Sequence, residues 1–227
     1  MASAIFIHRS VGKNLINDGN MYQLLAEKVS SLLFADYNQN NDVLTDAFGH
    51  ASKMGFQFPG NDTKPADYAQ LFNALAQNPY QNITDYLLKH DVIIIKSCYP
   101  NSGTATDEQL KAIKGYYDSV AAFFQSHPNK QLIILTSPPL RLLMTNPAAA
   151  HRARNLSEWL TSQEFNSNIS VFNFFDLLAN PPKGRRTNVL RSTYTRLLPF
   201  DSHPNANASR TIAPIFVDFL ATKIAQA

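Results

Sequence analysis

Two short runs, Val92-Ile93-Ile94-Ile95-Lys96 and Leu132-Ile133-Ile134-Leu135-Thr136, restrict what this chain can fold into more than any other feature. Both are nearly continuous in aliphatic side chains, without polar alternation. A strand of that kind has both faces buried, which happens in parallel sheets covered by helices on each side. Three further runs, Ala4 to His8, Leu33 to Tyr37 and Val171 to Phe174, bring the expected strands to five. Between them, apolar residues recur at intervals of three and four. Tyr68, Leu71, Phe72 and Leu75 form one such stripe, with Pro65 suited to a first helical turn. Leu110, Ile113, Tyr117, Val120 and Phe124 form another, opened by a capping box of Thr106 and Gln109. The last stripe, Ile212, Ile215, Phe216, Phe219 and Leu220, predicts a terminal helix with Pro214 in its first turn.

Strands alternating with helices predict an α/β fold: three layers, α/β/α, around a flavodoxin-like five-stranded parallel sheet of order 2-1-3-4-5. No repeat, low-complexity tract or linker interrupts residues 1–227, so one domain is expected. The Asn-, Gly- and Asp-rich segment Asn38 to Lys64 lacks periodicity and predicts a long ordered loop of the kind that carries function. A second irregular stretch, Asn180 to Phe200, is suited to a substrate wall.

Composition narrows the partners. The charged fraction is 16% and the net charge +3, with the densest basic stretch, Lys183 to Arg186, short and in a loop. Nucleic acid is therefore not expected as a partner, nor an anionic membrane as the main one. The longest apolar runs fall far short of a membrane span, and the N-terminus already reads as a strand rather than a signal peptide. A soluble protein is expected, either cytoplasmic or a mature secreted form. The single cysteine, Cys98, cannot form an internal disulfide, and no Cys/His spacing matches a structural zinc site. Five Asn-X-Ser/Thr sequons, at Asn61, Asn82, Asn155, Asn168 and Asn207, are close to what an Asn-rich chain produces by chance.

In an open parallel sheet, ligands sit beyond the carboxyl ends of the strands where the order reverses. The first strand runs into His8-Arg9-Ser10-Val11-Gly12-Lys13-Asn14 and the third into Lys96-Ser97-Cys98-Tyr99-Pro100-Asn101-Ser102, two turns that face each other in the expected order. The remaining landmark is Asp201-Ser202-His203-Pro204-Asn205, before the terminal helix. These residues supply the parts of acyl transfer. A serine hydroxyl needs a base, for which His203 is suited, and an acid to fix the imidazole tautomer, for which Asp201 is nearest in sequence. The oxyanion needs donors, which the Ser10 amide, a loop glycine and Asn101 could provide. Cys98 is a competing nucleophile, although lone buried cysteines are usually inert packing. Lys96, at a strand end, suits either a paired structural role or a contact to substrate. In the loop, Asp62 and Thr63 read as turn and cap chemistry, while His8, Arg9, His50 and Arg152 have no assigned role.

A serine turn after the first strand, a polar turn after the third and Asp-x-His-Pro-Asn before the last helix together resemble the SGNH (GDSL-type) hydrolases, in order along the whole chain. The resemblance implies Ser10 as nucleophile, His203 as base and Asp201 as acid, with a glycine donor in the 38–64 loop, Gly55 or Gly49. It implies no cofactor and no metal, and a small-molecule ester or an acetylated glycan as substrate. The first block reads His8-Arg9-Ser10 in place of Gly-Asp-Ser, and the usual Gly-x-Asn-Asp is replaced by Lys96-Ser97-Cys98-Tyr99, with Asn101 displaced. The acid stands two residues before His203 where three is commoner, so Asp176 is a reserve acid. Two other functions fit the same fold: a non-catalytic sugar- or phosphate-binding module using Ser10, Gly12 and Asn14, and a decayed hydrolase kept for interaction. The phosphate-loop pattern is not met, since Ile7 stands where its first glycine belongs.

Overall fold

A computed structural model describes residues 2–60, 62–73, 77–184 and 186–225. Leu75 of the first predicted stripe and Asn61 of the first sequon lie outside the described residues. Five parallel strands, β1 (Ser3–His8), β2 (Leu33–Asn38), β5 (Val92–Lys96), β6 (Gln131–Leu135) and β7 (Ile169–Phe172), form the centre of the sheet. Their order, β2-β1-β5-β6-β7, matches the expected 2-1-3-4-5.

The sheet is larger than expected. β3 (Val43–Thr45) and β4 (Ala51–Lys53) add antiparallel to the β2 edge, giving β4-β3-β2-β1-β5-β6-β7. Both come from the segment expected to be a loop. Strands of three residues are too short to display a period of two. The fifth parallel strand also ends two residues early, because Asn173 turns the chain and caps α7 (Phe174–Leu178) by accepting from the Asp176 amide at 3.2 Å.

Alternation along the strands sorts the core into two halves. Ala4, Phe6, Val92, Ile94, Ile133 and Leu135 point to the side covered by α1 (Ser10–Asn17), α2 (Met21–Lys28) and α8 (Ala206–Ile224). Ile5, Ile7, Ile93, Ile95, Leu132 and Ile134 point to the side of α3 (Pro65–Leu71), α4 (Gln81–Leu87), α5 (Asp107–Gln125) and α6 (Pro147–Ser162). β5 is wholly buried, as its lack of alternation requires. Each such aliphatic side chain contributes about 1.5–3 kcal/mol relative to exposure.

The helix ends follow their caps. Pro65 begins α3 at its first turn. Thr106 accepts from the Gln109 amide at 3.2 Å, while the Gln109 side chain reaches back one residue further, to the Ala105 amide. The terminal helix starts earlier than its apolar stripe suggested. Asn205 caps it by accepting from the Ala208 amide at 3.1 Å, so Pro214 lies inside α8 rather than in its first turn. Proline has no N–H, and one bond is missing from the middle of that helix. Among the described residues no helix is long and apolar enough to cross a membrane.

Candidate active site

Ser10 is the first residue of α1, directly after β1 and Arg9. β1 lies between β2 and β5, so Ser10 stands at the point where the strand order reverses. The turn is tight because of Gly12: a Cβ there would lie 2.3 Å from the Cβ of His8, at the end of the strand. The buried ring of His8 anchors the other side. Its Nε2 is 2.8 Å from Asp36 Oδ2 and its Nδ1 2.9 Å from the Arg9 carbonyl, while Tyr22 donates to Asp36 Oδ1 at 2.7 Å. A carbonyl only accepts, so the Nδ1 hydrogen of His8 holds the backbone just before Ser10.

His203 and Asp201 ride on the segment leading into α8. His203 Nε2 is 2.8 Å from Ser10 Oγ, and His203 Nδ1 is 2.5 Å from Asp201 Oδ1, which also accepts the His203 backbone N–H at 2.8 Å. The imidazole is partly open, its side chain 23% exposed against 17% for Asp201. The edge-on ring of Tyr99, 4.7 Å away between centroids, packs against it. Asn205 fixes the segment by donating to the Thr193 and Thr195 carbonyls at 3.0 and 3.1 Å. Burial alone would raise the Asp201 carboxyl. Hydrogen bonds from the His203 backbone and ring, with the charges of His203 and Arg196, outweigh it and hold the carboxyl below its ordinary value.

Two residues that the acyl-transfer reading of the sequence gave no role support this group. Arg196 brings Nη1 to 3.7 Å from Asp201 Oδ2 and donates to the Pro204 carbonyl at 3.3 Å. With its amide turned to suit both neighbours, Asn14 accepts from Arg196 Nη2 at 2.8 Å and donates to the Ser10 carbonyl at 3.2 Å. The spacing of Asn14 from Ser10, one helical turn, was a faint clue. Arg196 becomes visible only when the 192–204 segment is folded back.

The reserve acid is engaged elsewhere. Asp176 forms an ion pair with buried Arg154 and accepts from Asn173 Nδ2 at 2.7 Å. The expected oxyanion donors are also occupied. Asn101 Nδ2 donates to the Asp62 and Cys98 carbonyls, both at 3.2 Å, which uses both its hydrogens. Gly55 donates its N–H to Asp42 Oδ2 at 2.8 Å and Gly49 to the Asp46 carbonyl at 3.0 Å. Each would have to give up an existing bond to serve. The start of α1 offers an alternative, since Arg9 supplies no side-chain cap and the amides of its first turn precede the first helical bond, Lys13 to the Arg9 carbonyl.

Asp62, read above as turn chemistry, instead pairs with Arg9 and ties the loop to the Ser10 turn. Cys98 is buried with Sγ 3.6 Å from Ser10 Oγ. Lys96 is completely buried and so cannot reach substrate; its Nζ donates to the Ser97 carbonyl at 3.1 Å, and burial pushes its ammonium below the ordinary value, against an opposing contribution from Cys98. His50 and Arg152 pair with Asp46 and Asp107, away from the Ser10 contacts.

No family model and no curated protein matches the sequence. Among solved structures the chain is similar to a presumed acylhydrolase from Bacteroides fragilis, with TM-score 0.58 and 11% identity over 98% of this chain and 87% of that one. It is likewise similar to a lipase from a goat rumen metagenome, with TM-score 0.59 and 11% identity over 97% of each chain. At such identity the likeness is one of fold, and it extends along nearly the whole chain.

Proposed function

We propose that this chain is a serine ester hydrolase of the SGNH type, working through an acyl-enzyme and without a metal. The observation that carries the reading is the pair of linked hydrogen bonds, Ser10 to His203 and His203 to Asp201, closed by residues 193 positions apart. The lipase and acylhydrolase names of the two structural neighbours agree with it.

In the first half-reaction Ser10 Oγ attacks the ester carbonyl carbon while His203 Nε2 takes its proton. The negative oxygen of the tetrahedral intermediate is stabilised by the Ser10 N–H and its neighbours in the first turn of α1, aided by the positive end of the helix. His203 then passes the proton to the departing alcohol oxygen, which leaves an acyl group on Ser10. In the second half, water loses a proton to His203 as it attacks that acyl carbon, and Ser10 recovers the proton as it leaves. Asp201 holds the Nδ1 hydrogen throughout, and Arg196 with Asn14 positions the acid and the serine turn. The fold is read as one domain over 1–227, and the substrate as a carboxylic ester, either a small molecule or an acetylated glycan.

A fluorophosphonate probe tests the reading with no knowledge of the natural substrate. Wild-type protein gains one adduct located at Ser10 by peptide mass spectrometry, and it hydrolyses p-nitrophenyl acetate. Ser10→Ala loses both. Labelling that persists in the variant, or a wild type that takes no label and cleaves no ester, rejects it.

A further inference from the structure

Ten large apolar side chains are exposed among the described residues, and six of them lie on two loops: Leu142, Leu143, Met144, Leu197, Leu198 and Phe200. Leu197 is fully exposed at 102%, Phe200 at 72% and Leu143 at 62%. Arg141 Nη1 joins these loops by donating to the Arg196 and Leu198 carbonyls at 3.0 and 2.6 Å. The patch adjoins the acid of the candidate site, since Phe200 precedes Asp201, and the Asp201 amide donates to the Leu198 carbonyl at 3.2 Å. Isolated exposed apolar residues need no explanation, but a cluster beside a reactive centre marks an interaction surface.

Charge indicates what the surface meets. Among the described residues around these loops, Arg141, Lys183, Arg186 and Arg191 form no ion pair, whereas Arg196, Arg152 and Arg154 are held by Asp201, Asp107 and Asp176. Arg186, Leu142 and Leu143 line one cavity of 260 Å³, which brings a cation and two leucines together. Lys183 and Arg186 are exposed, and neither forms an ion pair among the described residues; Arg185 lies outside them. A second copy of the same face would oppose cations to cations, so the surface is poorly complementary to itself. Leucines and a phenylalanine at loop tips, ringed by Lys and Arg, match a layer of apolar chains beneath anionic headgroups.

We propose that these two loops dock onto an anionic lipid surface, so that the ester attacked by Ser10 is carried by a lipid held there. The docking stands on the patch alone; the second clause rests on the serine hydrolase reading. The modest net charge of +3 concealed this, because the cations gather only once the two loops meet.

Sedimentation of the full chain with phosphatidylcholine vesicles, with and without phosphatidylglycerol, tests the proposal. Wild-type protein sediments with the anionic vesicles and is released by salt. L197S/F200S and K183E/R186E each bind about tenfold more weakly, and both keep the wild-type urea midpoint. Absence of binding to anionic vesicles, or equal binding by the variants, overturns it. So does sedimentation velocity that detects a dimer abolished by L197S/F200S, which assigns the face to a second copy. Soluble ester turnover without vesicle binding removes the docking and keeps the hydrolase, whereas vesicle binding without any turnover or labelling keeps the docking and removes the lipid ester.

Discussion

Replacing Asp201 by Asn removes a charge, keeps the shape and offers the sharpest test of the Ser10 group. Oδ1 accepts two N–H groups of His203, at 2.8 and 2.5 Å, and Oδ2 faces Arg196 at 3.7 Å. An amide cannot satisfy both sides. With its oxygen toward His203, its NH₂ confronts the Arg196 guanidinium; turned over, it confronts both His203 donors. In the second orientation the imidazole carries its hydrogen on Nε2 and cannot take the proton of Ser10. Even in the first, the bond to a developing imidazolium becomes neutral, a loss of about 1–2 kcal/mol. With the tautomer effect added, the barrier rises by about 4–5.5 kcal/mol, or about 10³–10⁴ in rate. The rate of fluorophosphonate labelling at Ser10, followed by intact mass, measures this directly, with turnover of p-nitrophenyl butyrate as a second readout. Asp176→Asn is the control. It loosens Arg154 and costs about 1–2 kcal/mol of stability, but leaves labelling within about threefold of wild type. If Asp201→Asn labels within tenfold of wild type, or Asp176→Asn falls as far, Asp201 is not the acid.

Three other substitutions probe the surroundings. Cys98→Ala should retain labelling and turnover within about fivefold, because the thiol makes only a long, weak hydrogen bond to Ser10 Oγ, 3.6 Å; loss of labelling would move the nucleophile to the thiol. His8→Ala removes one of the two partners of the buried Asp36 side chain, leaving Tyr22, and should lower the unfolding free energy by about 1–3 kcal/mol in urea titrations, and an unchanged urea midpoint would contradict the anchoring role given to His8. Lys96→Met tests a pH effect. Burial holds the folded-state value of Lys96 below its ordinary 10.5. Between the two values the unfolded chain binds a proton that the folded chain does not, so the stability of wild type rises with pH in that window, by up to about 1.4 kcal/mol per unit. The methionine variant lacks this contribution: its urea midpoint should exceed that of wild type near neutrality, and the gap should narrow as pH approaches 10.5. A gap that stays constant across that range argues against a depressed Lys96.

What the sequence disclosed depended on how local the determining physics was. β5 and β6 were readable because four successive aliphatic residues have few other uses, and the Ser10 turn was readable because it follows a central strand. β3 and β4 were not, because pairing with β2 rather than their own composition makes them strands. Asp201 was separable from Asp176 only once Arg154 was seen to hold the latter. Arg196 and the exposed loops were hidden for a related reason. Nothing intrinsic separates the exposed pair Leu197-Leu198 from the partly buried and buried pair Leu177-Leu178; only the neighbours brought by folding do.

Because Ser10 and His203 stand 193 residues apart, their hydrogen bond exists in no nascent fragment that lacks either one. A ribosome must release the chain through His203 before that residue can meet Ser10. Until then the hydroxyl proposed as nucleophile has no base beside it.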